Sequence, residues 1–356
     1  MKIGIIGKRK AGKTTIFNTI TKMNIPLENY DLNKIKPNKA AVAVIDNRIS
    51  KLKEIYKPKK VTYPKIECID FIGKDKKDNN SEIYNSEEIS LIKVVDALAI
   101  VLRNFDDEIV DNNFGKKDPL SDFSDIIDEL ILSDIIQLEK RIKKIEEREL
   151  KGIAKQNEES EKKFLIKIKE DLEGGTFDPK TLTDEQSKKI KEYKLLCQMK
   201  KLIILNSDEE NFGSFETDKQ FNNIEVIEFP AKFELELDSL NEEERTMFLE
   251  DMGIKKSAVS KLTTALYKLL DYISFFTVGK DEVKAWTIKK GTKAPQAAGK
   301  IHSDLEKGFI RAERFHYNDI IRIQNEKELR NQGLVKLESR NYVVKDGDIL
   351  SIRFNK

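Results

Sequence analysis

Residues 3–21 read IGIIGKRKAGKTTIFNTIT, and the fold turns on this stretch. An apolar run, Ile3–Ile6, feeds a G-x-x-x-x-G-K-[ST] loop from Gly7 to Thr14, and a helical pattern starts directly after it. A strand, a glycine-rich turn and a helix are the context in which this spacing makes a phosphate loop. Gly7 and Gly12 allow the tight turn that converges successive N–H groups on phosphate oxygens. Lys13 brings a point charge to the β- and γ-phosphates, and the Thr14 hydroxyl can coordinate Mg²⁺. The positive end of the helix adds to the attraction. Average residue usage gives a chance match in roughly one chain in a hundred of this size. The spacing therefore predicts nucleotide binding.

Outward from the loop, strands and helices alternate. Apolar runs at Ile3–Ile6, Ile66–Phe71, Ala97–Leu102, Leu202–Leu205 and Ile224–Phe229 predict buried parallel strands. With helical segments between them they make a doubly wound α/β domain. Two regions break the alternation. From about Ser121 to Leu196 the chain is helical and charged, and Ile131, Ile135, Leu138, Ile142 and Ile145 form a seam at spacings of four and three. That seam fits a helical hairpin or coiled coil, with Phe164, Leu165, Ile168 and Leu172 on a second helix and a break at Gly174 and Gly175. The second region is the tail. From Phe275 it alternates in short strand-like pieces around a charged helix, which predicts a small α+β domain of its own.

The chain has 356 residues, enough for two or three domains. Charged residues make up 36%, yet the net charge is only +2, so the chain is no global polycation. The tail from Tyr272 carries 17 Lys and Arg against 11 Asp and Glu, which makes it compatible with an RNA surface. Cys68 and Cys197 are too few for a disulfide framework or a zinc site, and fit a reducing cytosol. No apolar run approaches a membrane span.

Further site pieces fall at strand ends. Asp70–Gly73 (DFIG) matches the D-x-x-G of GTPase-like folds, with Asp70 near Mg²⁺ and the Gly73 amide at the γ-phosphate. The guanine reader N-K-x-D is replaced after the strand KLIIL by Asn206-Ser207-Asp208-Glu209. The longer Glu209 spoils the bidentate geometry that guanine needs and favours another base.

These motifs together resemble the Obg-like ATPase (YchF) family of translation-associated P-loop proteins. The tail segments FFTVGKDEVKAWTIKKGTKAPQAAGKIHSDLEKGFIRAE and YVVKDGDILSIRFN are similar to that family's TGS domain nearly word for word. The resemblance extends through VAVIDNRISKLKEIYKPKKV, VLRNFDDEIV and LNEEERTMFLEDMGI. It implies a Ras-like P-loop NTPase domain at 1–120 and 197–271, an inserted helical, coiled-coil domain at 121–196, and a C-terminal β-grasp TGS domain at 272–356. It also implies a cytoplasmic, monomeric protein that binds ATP in preference to GTP with Mg²⁺, hydrolyses it slowly, and contacts ribosomal RNA of the large subunit. A hydrolysis-deficient nucleotide-binding adaptor is the alternative.

Residue by residue, the family's binding run falls on Lys10, Ala11, Gly12, Lys13, Thr14 and Thr15, joined by Gly7. Asn206, Ser207 and Glu209 take the base positions, Thr14 and Asp70 the metal, and Lys13 and Gly73 the γ-phosphate. Three departures stand out. Lys34 occupies the place of the switch threonine, Lys74 follows D-x-x-G where the family has a hydrophobic residue, and Asp111 falls where it has the histidine implicated in hydrolysis. The only histidines, His302 and His316, lie in the tail and are expected to be structural.

Overall fold

A computed structural model describes residues 2–25, 37–71, 83–153, 155, 157–213, 215, 220–241, 243–244, 247 and 258–355. In chain order the first elements are β1 (Lys2–Ile6), α1 (Lys13–Thr21), β2 (Asn38–Ala43), α2 (Asn47–Tyr56), β3 (Lys60–Thr62) and β4 (Lys65–Asp70). Then come α3 (Ser86–Ile92), β5 (Ala97–Asn104), α4 (Glu108–Phe114), α5 (Pro119–Leu150), α6 (Glu158–Glu173) and α7 (Asp184–Tyr193). β6 (Lys200–Ser207), β7 (Val226–Phe229), α8 (Ala231–Leu237) and α9 (Ala258–Leu269) follow. The tail adds β8 (Tyr272–Thr277), β9 (Glu282–Lys289), α10 (Ala294–Ile301), β10 (Phe309–His316), β11 (Lys336–Glu338), β12 (Asp348–Phe354) and short helices.

The chain divides into two compact units, residues 2–39 with 68–245 and residues 40–67 with 246–356. The division does not follow the expected limits at 120, 197 and 272. Helix α2 and strand β3, expected in the nucleotide-binding domain, group instead with the tail.

All five expected apolar runs are strands of one sheet, ordered β2-β4-β1-β5-β6-β7. β1 pairs in parallel with β5, β5 with β6, and β6 with β7. β5 (ALAIVLRN) is buried at every residue, as a central parallel strand covered on both faces must be. The polar pair Arg103–Asn104 at its C-terminal end is buried too, and it marks the end of the sheet where the phosphate loop lies.

The charged insertion is a three-helix assembly built on one long helix. α5 starts with Asp118 accepting from the Ser121 N–H and Pro119 in the first turn, a strong start signal. Its early residues Phe123, Ile126 and Leu130 belong to the core beneath the sheet, alongside Ile6, Ile100 and Leu205. Its later residues Leu138, Ile142 and Ile145 pack on Leu165, Ile168 and Leu172 of α6 and Ile190 of α7. The expected seam is therefore a hairpin seam, and α6 ends at the expected break, capped by Gly174. One helix thus belongs to both cores, and at 32 residues it is about 48 Å long.

The second unit carries a sheet ordered β11-β10-β12-β8-β9-β3. Its outermost strand, β3, pairs in parallel with β9 through Lys60–Thr62 and Glu282–Lys284. Ile49 and Leu52 of α2 sit in one cluster with Phe276, Val283, Phe315 and Ile349. The tail's sheet and core are not completed by tail residues alone.

Candidate functional site

The phosphate loop leaves β1 at Gly7, and the close packing there excludes any side chain. A Cβ on Gly7 would overlap the carbonyl oxygen of Val101. The Gly7 N–H donates to the Tyr84 hydroxyl at 2.7 Å, and that hydroxyl donates to the Gly7 carbonyl at 3.1 Å. Tyr84 is fully buried, and burial pushes its phenol well above the usual range, so it stays a neutral double-ended clamp. Sequence reasoning missed Tyr84, because nothing in its neighbourhood announces a partner 77 positions away.

Two further residues hold the loop. Lys8 pairs with Asp122 at 2.7 Å and with Asp125, both in the first turns of α5. The Asn206 amide donates to the Ala11 carbonyl at 3.0 Å, and its oxygen accepts from the Ala231 N–H at 3.3 Å. Lys10 has φ 62° and Gly12 has φ 91°, both left-handed. At Gly12 a Cβ would also collide with the Asn206 amide nitrogen, so φ and packing both require glycine.

Lys13 is buried, and its ammonium donates to the Gly7 carbonyl at 2.9 Å and the Lys8 carbonyl at 2.7 Å. Burial lowers its pKa to about 8. An anion in the loop would offset that penalty. At the next residue, the Thr14 hydroxyl donates to Asp70 Oδ2 at 3.0 Å, and the Asn38 amide reaches the same oxygen at 3.3 Å. Asp70 is 1% exposed, and its Oδ1 has no hydrogen-bond partner among the described residues. Burial raises its pKa, because the Lys13 charge and the hydrogen bonds from Asn38 and Thr14 offset only part of the desolvation.

An orphaned buried oxygen beside a threonine hydroxyl fits Mg²⁺, which takes few protein ligands and keeps water and phosphate oxygens around it. Among the described residues no cluster of three His, Cys, Asp or Glu side chains offers a more elaborate metal site. Thr15 continues α1 and accepts the Thr19 hydroxyl through its carbonyl at 2.8 Å.

The expected base-reading residues lie together at the end of β6, with different environments. Ser207 is buried, donating to Glu228 at 2.6 Å and accepting from Asn104 at 2.9 Å, so its hydroxyl is committed. Glu209 is exposed. Between them Asp208 organises the loop, accepting from the N–H groups of Asp106 at 3.0 Å and Asn211 at 2.9 Å. That role was not anticipated, although aspartate followed three residues later by asparagine is a turn signal.

Asp111 sits on α4 and takes an ion pair at 2.8 Å from the buried Arg103, which also donates to the Gly115 carbonyl. Phe114 of the same helix lies under the Arg9 guanidinium, 5.9 Å from ring centre to Cζ. His302 and His316 each cap a short helix in the second unit, accepting from the N–H groups of Asp304 and Asn318. Their structural roles match the expectation. Gly73, Lys34 and Lys74 lie outside the described residues.

Comparison with known proteins follows the same lines. The family model YchF-GTPase_C, described as "Protein of unknown function (DUF933)", matches residues 272–355. The ribosome-binding ATPase YchF of Bacillus subtilis is 38% identical over 99% of this chain and 98% of its own length. That of Mycoplasma genitalium is 34% identical over 100% and 99%. Among solved structures, the Schizosaccharomyces pombe YchF GTPase superposes with a TM-score of 0.84 at 30% identity, covering 99% of this chain and 97% of that one. With its whole length matched and its phosphate loop assembled, this chain belongs to the YchF family.

Proposed function

We propose that the chain binds ATP with Mg²⁺ at the loop Gly7–Thr15, hydrolyses it slowly, and associates with ribosomes in the cytoplasm as a nucleotide-gated factor. One observation carries the nucleotide reading: Lys13 and Asp70 are opposite charges held in burial with incomplete compensation. Lys13 rests on two loop carbonyls, and Asp70 keeps one oxygen without a hydrogen-bond partner among the described residues. A Mg²⁺-bound phosphate chain would satisfy both. Thr14 and Asp70 would hold the ion, which would neutralise charge on the phosphates. Slow turnover is supported by Asp111, whose carboxylate is bound to Arg103 rather than free to orient a water.

The base remains the sharpest point to test, since the relatives' names divide between ATPase and GTPase. Asn206 clasps the loop and Glu209 is exposed, an arrangement that lacks the short carboxylate of a guanine reader and supports ATP. Titration with labelled ATP and GTP, with and without Mg²⁺, should show tighter ATP binding that depends on the ion. A GTP preference would refute the assignment, and Glu209→Asp should narrow the difference. Phosphate release over many hours, against Lys13→Ala, separates slow hydrolysis from the adaptor that only binds.

A further inference from the structure

The first unit holds an open groove of about 510 Å³ that the nucleotide site does not use. It runs along α5 beside the C-terminal end of α6. Ile83 and Leu132 give it an apolar lining, and Leu132 is 49% exposed. Asp125, Asp128, Glu129 and Glu173 give it carboxylates. No lysine or arginine occurs from Pro119 to Glu139, so α5 itself supplies no counter-charge along this stretch, although Asp125 and Glu129 are engaged by other groups. Lys8 reaches Asp125 and Lys169 reaches Glu173 at 3.3 Å. Asp128 is exposed and has no ion-pair partner among the described residues.

Such a lining repels a phosphate backbone and attracts cations. An apolar anchor set among carboxylates fits an amphipathic segment with leucine-like residues on one side and basic residues on the other. The groove is also joined to the phosphate loop at two points. Ile83 immediately precedes Tyr84, whose hydroxyl clamps Gly7. Asp125, with Asp122, holds Lys8, the next residue of the loop.

We propose that this groove docks a lysine- or arginine-rich amphipathic segment of a partner protein, and that docking is coupled to nucleotide binding through the Lys8–Asp125 pair. A guest cation at Asp125 competes with Lys8 and loosens one of the ties on the loop. Coupling of this kind is reciprocal: whatever docking does to nucleotide affinity, nucleotide does to docking. The inference rests on the loop being a nucleotide site.

The test uses the full chain and a labelled amphipathic peptide with leucines on one face and arginines on the other. Its acidic counterpart, with glutamates for arginines, is the control. Anisotropy should show binding of the basic peptide only, weakened about ten-fold or more by Asp128→Lys with Glu173→Lys, two exposed positions outside the phosphate loop. ATP affinity is then measured with and without saturating peptide. A several-fold change that disappears in Lys8→Met, while the peptide still binds, supports the proposal. Equal binding of both peptides, or binding indifferent to the charge reversals, overturns the docking assignment. An ATP affinity unmoved by bound peptide overturns the coupling. No ATP binding by the free protein would instead refute the nucleotide reading, so the two failures are distinguishable.

Discussion

At the scale of single residues, the loop is held by groups that have no freedom to change. Gly12 joins a left-handed φ to contact with the Asn206 amide, so Gly12→Ala meets both strain and collision. ATP affinity should fall about ten-fold or more, corresponding to strain of about 1–3 kcal/mol at such a position. Isothermal titration at neutral pH measures it, and near-normal affinity would mean the loop has slack. Lys13 gives a pH dependence with a definite sign. Its pKa is lowered to about 8 by burial, so its charged form costs the fold stability that returns as pH rises from about 8 towards the unfolded value. A bound phosphate raises that pKa, so nucleotide binding takes up a proton above pH 8. ATP affinity should therefore decline as pH rises from about 8, by at most about ten-fold per pH unit. Lys13→Arg should bind more weakly but lose this slope, because a guanidinium does not titrate there. A flat profile in the unaltered protein would show that Lys13 remains charged through that range.

At the scale of elements, the hairpin is tied by Glu161 as well as by its seam. Arg141 of α5 donates to Glu161 of α6 at 2.6 Å, and Tyr193 of α7 donates to the same oxygen at 2.6 Å. The Arg141 hydrogen bond holds the Glu161 carboxyl below its usual range. That contribution is complete above the ordinary glutamate pKa and is lost as pH falls through the depressed value. Glu161→Gln should lower the melting temperature at pH 7, and the difference should vanish in acid. Leu165, fully buried in the same assembly, should cost about 2–5 kcal/mol when cut to alanine. Denaturant melts followed by circular dichroism check both. These helices were legible because a 3.6-residue period is a local property, as was the phosphate loop, whose chemistry occupies eight consecutive residues. β2 and β3 were not. β2 (NKAAVA) alternates half-buried at a sheet edge, and β3 has three residues paired with partners 222 positions ahead. Tyr84 was missed for the same reason, as was the bond that Asp208 accepts from Asp106, 102 positions away: both exist only once distant segments meet. The sequence points to Asn206 as a base-position residue, whereas its grip on the Ala11 carbonyl exists only in the fold.

At the scale of the whole chain, residues 40–67 and the tail are parts of one compact unit, and this changes how partner contacts should be mapped. Arg48 pairs with Asp46 at 2.8 Å and with Asp346 at 2.7 Å, while its guanidinium lies over the Phe276 ring. Ile49 and Leu52 beside it are fully buried, and each contributes about 1.5–3 kcal/mol by leaving water. An isolated 272–356 fragment would lack all of this, together with the β3 edge. It should melt well below the same unit in the full chain, and a peptide spanning 44–64 should raise its midpoint; equal midpoints without the peptide would refute the co-folding. Deleting the tail would uncover Ile49 and Leu52 and damage what remains, so lost ribosome pelleting would not locate a contact. Charge reversal is the cleaner probe. Lys289, Lys290 and Lys336 are exposed on the second unit, and basic contacts to RNA phosphate make affinity steeply salt-dependent. With these three changed to glutamate, co-sedimentation with ribosomes should weaken and its salt slope should flatten, while ATP affinity stays unchanged. Pelleting equal to the unaltered chain at both low and high salt would remove the tail as the ribosomal RNA surface and move the contact to the helical hairpin.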